Sequence, residues 1–399
     1  MNEHKNALMT NHYSRLLDDL RNRNLFRRCR TVSGPQGPKV TVDGRRVILM
    51  CSNNYLGLAD HPALAQATSR VALDMGIGAG ASRLISGTME LHCELERRLA
   101  KFKRAERCVL FNSGYQANVG VISAITGKND VIYSDELNHA SMIDGARLSR
   151  AGVRVYPHLD MERLDNMMRT ETIEGRKVII TDGVFSMDGD PAPIRELVEL
   201  KNRYGAQLIV DEAHATGVIG PGGRGLVAQY GLEESVDVVV GTLGKALGSF
   251  GAFAVGCTEI VEWLINTARS FVYTTALPPP VVAASLAALD IIEQEPERIE
   301  ALKWAASYMR ERMANEGLNV ENGKIPIIPL VVGNAQKALD FASELLEEGV
   351  FCQAIRPPSV PEGTSRLRIT VMASHTRDHL DRAIDAIAGI ARKLGVIAK

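Results

Sequence analysis

Short apolar runs at 108–111, 131–133, 178–181, 208–210 and 236–240 alternate with stretches of helical periodicity at 91–102, 117–125 and 194–204. Each run is too short to be a buried helix and has no polar residue at every second position. Strands of this kind are covered on both faces, which requires a mostly parallel sheet with helices packed on either side. In such α/β folds ligands bind beyond the carboxyl ends of the strands. The loops following these five runs are therefore the place to look for chemistry.

The 399 residues allow two or three domains. An amphipathic arm is expected over 13–28, where Leu16, Leu17, Leu20 and Leu25 stand among charges, and two short strands follow around Asp43-Gly44 over 40–49. Residues 1–50 are read as this N-terminal arm and its strands, 51–289 as the large domain, and 290–399 as a smaller α+β domain. The small domain is expected to hold helices at 299–313, 336–348 and 377–394 and strands at 325–332 and 367–371, after Pro278-Pro279-Pro280 and a helix over 281–293.

A net charge of -1 offers no general attraction to nucleic acid or acidic membranes. Six scattered cysteines (Cys29, Cys51, Cys93, Cys108, Cys257, Cys352) show no C-x-x-C pair. They suit a reduced compartment and are expected to be small core residues, not disulfides or metal ligands. The polar start after Met1 is unlike a secretory signal, and no apolar stretch approaches a membrane span. A cytoplasmic enzyme with no metal is expected.

Two motifs invite other readings. Gly76-Ile77-Gly78-Ala79-Gly80-Ala81 matches a dinucleotide fingerprint, but it follows a helical segment where that fingerprint follows a strand. A loop approaching a ligand is the better reading. Asp211-Glu212-Ala213-His214 spells the box of nucleotide-driven, nucleic-acid-stimulated proteins. Its necessary companion, a phosphate-cradling G-x-x-x-x-G-K-[ST], is not matched by Gly241-Thr242-Leu243-Gly244-Lys245-Ala246. That class remains a distant alternative.

The same residues fit another chemistry. Asp211 ends one apolar run, and an acid there needs a partner when buried. Lys245 follows the next run among small residues, where a buried amine is costly unless paired or neutral. An amine that forms a Schiff base, and a carboxylate that keeps a pyridine nitrogen protonated, are what pyridoxal 5'-phosphate (PLP) requires. Gly114 and Tyr115 open a helix after a strand, where backbone N–H groups hold phosphate. His139 is placed to stack on the ring, Ser186 to meet the ring or phosphate, and His214 to contact the phenolic oxygen side. Thr242 completes the set. Each alone is an ordinary turn residue; it is their joint placement at strand ends that points to PLP.

Gly114-Tyr115, Asn138-His139-Ala140-Ser141, Asp182-Gly183-Val184-Phe185-Ser186-Met187-Asp188-Gly189, Asp211-Glu212-Ala213-His214 and Gly241-Thr242-Leu243-Gly244-Lys245 together resemble the α-oxoamine synthases, fold-type I PLP-dependent transferases. The resemblance extends from Ser52-Asn53-Asn54-Tyr55-Leu56-Gly57-Leu58 to Arg366-Leu367-Arg368. It implies a homodimer with active sites at the interface, where Thr274 and Thr275 reach the partner's cofactor phosphate. It also implies condensation of an amino acid with an acyl thioester, on CoA or a carrier protein, with loss of CO2. Lys245 would be the catalytic base, Asp211 and His139 its companions, and Arg368 with Asn53 the carboxylate site. Ala354-Ile355-Arg356-Pro357-Pro358-Ser359-Val360-Pro361 is similar to the biotin-pathway 8-amino-7-oxononanoate synthases, which use L-alanine and a pimeloyl thioester. There Ser359 and Arg21 would meet substrate. The 241–247 run and the tail over 393–398 look more like glycine C-acetyltransferase, which uses glycine and acetyl-CoA. The entrance segment decides for the former.

Overall fold

The computed structural model describes residues 2–397, with side chains from 12 onward. Seven strands form the central sheet in the order Arg107–Phe111, Ala252–Gly256, Val238–Thr242, Gln207–Asp211, Lys177–Asp182, Val131–Asp135, Gly152–Tyr156. Ala252–Gly256 runs antiparallel to both its neighbours and the remaining strands are parallel. Strand residues alternate between two cores, as a period of two demands. Leu110, Tyr133, Ile179, Leu208 and Phe253 face one helical layer, while Val109, Ile132, Val178, Ile209 and Ala254 face the other. The sheet expected from the apolar runs, with helices on both faces, is therefore present.

Helices make the crossovers. Ala140–Ser149, Met161–Thr170 and Ile194–Tyr204 connect the successive strands on the Val131 side of the sheet. Met161–Thr170 starts where the Asp160 carboxylate accepts from Arg163 N, and Ile194–Tyr204 stops at Gly205, whose φ of 59° suits glycine. The register places Asp182 opposite Asp211 and Asp211 opposite Val240. Asp182 and Asp211, the last residues of their strands, thus emerge side by side at the carboxyl ends of the sheet, next to Val240 of Val238–Thr242.

A second, antiparallel sheet has the order Ile327–Gly333, Ser365–Thr370, Gln353–Ile355. Its helices are Glu297–Asn315, Ala335–Glu347 and Arg377–Lys393. The hairpin Lys39–Val42 and Arg45–Leu49 turns through Asp43 and Gly44, both at positive φ (48° and 85°), as a two-residue turn between twisted strands requires. Arg45–Leu49 then pairs in parallel with Val350–Phe351. Val40, Val42, Val47 and Leu49 pack with Leu346 and Met372 in a small core of their own. The N-terminal strands and the C-terminal region are one packed body.

Two local expectations change. The N-terminal helix Asn2–Asn22 ends before residue 28 because Asn24 is left-handed (φ 57°). Only Cys108 and Cys352 are buried; Cys29 and Cys93 are exposed, so most of the thiols are not core residues. The tail motif's last residue, Ala398, lies outside the described residues.

Candidate active site

Asp211 ends its strand buried. Its Oδ1 accepts from Ala213 N at 2.8 Å and its Oδ2 from Asn118 Nδ2 at 2.6 Å. Two donors on a buried carboxylate hold it in one orientation. Asp182 lies beside it and accepts from His139 N at 2.7 Å. Burial, then the charge of Asp211, pushes Asp182 well above the usual carboxylate range.

Lys245 sits in the connection between Val238–Thr242 and the antiparallel strand. Thr242 Oγ1 donates to Gly251 O (3.0 Å) and accepts from Gly244 N (3.2 Å), closing the loop at its base. A Cβ on Gly248 (φ 64°) would stand 2.5 Å from Ala59 N, so only glycine lets this loop pack. The Lys245 amine meets His214 Nε2 at 2.8 Å. Burial lowers its pKa to about 8; Asp211 and Asp182 oppose the shift, and Arg368 adds to it.

From His214 a hydrogen-bonded chain runs on through Tyr55 to Arg368. His214 Nδ1 meets Tyr55 Oη at 2.7 Å, Tyr55 Oη donates to Asn53 Oδ1 at 3.1 Å, and the Arg368 guanidinium donates to Asn53 Oδ1 (3.1 Å) and Tyr55 Oη (3.3 Å). Arg368 Nε also donates to Ser186 O. Arg368 is buried, yet each of these acceptors is a neutral oxygen. Arg366, two residues earlier, pairs with the Asp188 carboxylate instead. A buried guanidinium facing only neutral acceptors has charge left for an incoming carboxylate.

At the other end of the cleft, Gly114–Ile125 begins at Ser113, whose hydroxyl caps Gln116 N at 3.2 Å. Apart from its chain neighbours and its own helix backbone, no described atom lies within 4 Å of where a Gly114 Cβ would stand. The Tyr115 hydroxyl turns away to Asp144. Asn112 Nδ2 donates to Thr274 Oγ1 (3.0 Å) and Thr275 O (2.7 Å) of the same chain, which brings both threonines beside this helix start.

Arg21 is not brought to the cleft in this chain. It pairs with Asp18 at 2.6 Å and lies over the Phe26 ring. Arg27 is the arm residue that reaches Ser359 Oγ, at 3.4 Å. Arg27, Arg28, Arg356 and Ser359 line a cleft of about 460 Å³. Arg356 is buried, with its guanidinium on Asn24 O, and its pKa is lowered by burial and by Arg27. Gln353 pairs with Arg368 across the small sheet, so this basic cleft adjoins the Arg368 strand.

Tyr55, Asn118 and Asp182 were not singled out from sequence as site residues. Tyr55 and Asp182 lie inside segments that carried the resemblance; Asn118 is a single polar residue inside a helix and gave no such signal. Glu212 has a structural role. It is fully buried and pairs with Lys103 Nζ at 2.5 Å while accepting from Val227 N at 2.7 Å. Its neighbour His214 is committed to Lys245 and Tyr55. Glu212 is thus used up inside the fold, and the loop from Gly76 to Gly80 opens no α-helix, the five-residue π-helical turn Arg83–Gly87 following instead.

The donor set fits PLP: a buried carboxylate fixed by two donors, a partly neutral amine, and an open helix start beside Asn112 and Thr274. The profile of the family described as aminotransferase class I and II matches residues 45–387. An 8-amino-7-oxononanoate synthase of Geobacter sulfurreducens is 50% identical over 391 residues, covering 98% of this chain and 100% of the relative. Among solved structures, a variant serine palmitoyltransferase of S. paucimobilis with a bound PLP–myriocin aldimine matches with a TM-score of 0.90 at 30% identity, over 92% of this chain and 94% of that one. The 8-amino-7-oxononanoate synthase of Francisella tularensis matches with a TM-score of 0.76 at 29% identity, over 87% and 98%. The chain belongs to the class I and II aminotransferase family, among its 8-amino-7-oxononanoate synthases.

Proposed function

We propose that this chain binds PLP and condenses L-alanine with a pimeloyl thioester, releasing CO2 and the free thiol to give 8-amino-7-oxononanoate for biotin synthesis. The observation that carries the reading is Arg368, a buried guanidinium with no carboxylate against it among the described residues, joined through Asn53, Tyr55 and His214 to the Lys245 amine. A carboxylate binder and a base of suitable pKa share one cleft. Bound at Asp211, Lys245, Thr242, Ser186, His214 and the helix start at Gly114, PLP supplies an electron sink for the substrate's Cα.

The chain's own residues do the rest. Arg368 and Asn53 orient the alanine carboxylate. Lys245, with a pKa near working pH, takes the Cα proton. Cα bonds to the thioester carbonyl carbon and the thiol leaves; the carboxylate is then lost as CO2 and a proton returns to Cα. His214 and Tyr55 hold the amine in place between these transfers. The basic cleft of Arg27, Arg356 and Ser359 favours an acyl chain ending in a carboxylate over acetyl.

The active unit is a homodimer. Ile85 and Tyr273 are 80% and 73% exposed, Ile77, Phe250 and the arm residues Leu16 and Leu17 are also exposed, and Ser82 bridges to Thr275 beside the cleft. Large apolar side chains left exposed in this number suit a surface that a second copy covers. Thiol release is measured with L-alanine plus pimeloyl-CoA and with glycine plus acetyl-CoA, and the first pair is expected to be preferred by at least about tenfold in kcat/KM. Preference for the second pair would overturn the choice of substrate and support a glycine acetyltransferase. A protein that PLP cannot colour would sink both.

A further inference from the structure

Asp211 and His139 stand on different elements, yet two side chains outside the expected set connect them. Asn118 Nδ2 donates to Asp211 Oδ2 at 2.6 Å and to Ser141 Oγ at 2.9 Å. Ser141 Oγ lies 2.7 Å from His139 Nδ1, and Ser141 N donates to that same nitrogen at 3.3 Å. Asn118 and Ser141 are both buried. Their helices, Gly114–Ile125 and Ala140–Ser149, approach closely at Gly145, where a Cβ would stand 3.0 Å from Asn118 O.

The direction of every bond in this chain follows from its ends. Turning the Asn118 amide over would set its Oδ1 against the Asp211 carboxylate, so the amide nitrogen must face Asp211. Ser141 Oγ then accepts from Asn118, and its one hydroxyl proton is free to go to His139. At the other end the Ser141 backbone N–H points at Nδ1, which must therefore be a bare acceptor. The backbone end requires this arrangement and the Asn118 end is compatible with it.

We propose that Asn118 and Ser141 are positioning residues that lock His139 as the neutral tautomer protonated on Nε2, so that His139 serves the reaction as a hydrogen-bond donor and leaves proton abstraction to Lys245. The inference rests on the condensation reading above for what the Nε2 proton is used for. That proton suits a developing negative charge on the thioester oxygen. The charged and titratable groups facing His139 are Asp211, Lys245, His214 and, through its backbone N–H, Asp182.

The test is long-range proton–nitrogen correlation on holoenzyme labelled with 15N-histidine, the His139 signal being identified by its loss in H139Q. Wild type is expected to show Nε2 protonated and Nδ1 bare. S141A is expected to populate the other tautomer, to move the acid limb of the kcat profile to higher pH, and to lower kcat about five- to tenfold with KM for alanine little changed. S141T, which keeps the hydroxyl, is expected to restore all three. A proton on Nδ1 in wild type overturns the proposal even if S141A fails to fold, and so does an S141A enzyme unchanged in spectrum and pH profile. An intact Nε2–H signal in a protein that condenses neither substrate pair would sink the reaction and leave the relay standing.

Discussion

Replacing Lys245 by methionine is expected to stabilise the cofactor-free protein at neutral pH. Burial brings the amine from 10.5 down to about 8, so the folded chain carries an ammonium that its surroundings disfavour. That gap is worth about 3 kcal/mol at about 1.4 kcal/mol per pH unit, and partial exposure of the side chain reduces it to about 2 kcal/mol. Methionine keeps the apolar stem and removes the charge, but it also takes the partner from His214 Nε2, which costs about 1 kcal/mol. The net gain is about 1 kcal/mol near pH 7. Because the folded pKa lies below the unfolded one, the wild-type penalty is complete below pH 8, shrinks as pH rises from 8 towards 10.5, and is gone above that. The two proteins should be level near about pH 9.5 and reversed beyond it. Urea unfolding of both apo-proteins at several pH values, followed by tryptophan fluorescence, measures the gap. A gap that does not change with pH, or a methionine variant less stable at pH 7, would refute the reasoning.

Two further outcomes follow from buried charge. Lys103→Met leaves Glu212 buried with no cation and is expected to cost about 3–5 kcal/mol in denaturant unfolding, most of it recovered when Glu212→Leu is added; a single variant within about 1 kcal/mol of wild type would contradict this. Arg368→Lys loses the planar fork held by Asn53 and Tyr55, and steady-state kinetics should show KM for alanine raised about tenfold or more while the visible absorbance of bound cofactor is retained.

The inner parallel strands were legible because they are buried on both faces and therefore mostly apolar. Strand ends were legible for the same reason, so Asp211, Thr242 and Lys245 could be placed before their contacts were known. The edge strand Gly152–Tyr156, exposed along 153–155, and the antiparallel Ala252–Gly256 were not among the expected runs. Anything set by three-dimensional register escaped as well. Asp182 stands opposite Asp211 only because two strands pair in step. Asn118 meets Asp211 across 93 residues, and nothing in a helix signals a bond of that range. Arg21 and Arg27 lie on one short basic arm, and spacing alone does not tell which of them turns inward. The left-handed Asn24 between them makes that choice.

The parallel pairing of Arg45–Leu49 with Val350–Phe351 has a bearing on synthesis of the chain. The two strands are separated by roughly 300 residues, and a ribosome adding about 5–20 residues per second leaves the first without its partner for about 15–60 s. During that interval the hairpin holding Val40, Val47 and Leu49 has no Leu346 or Met372 to cover it. The last part of the protein to close is made from the first part to emerge, and a nascent chain of this kind presents an adhesive edge to its neighbours until its own C-terminal third arrives.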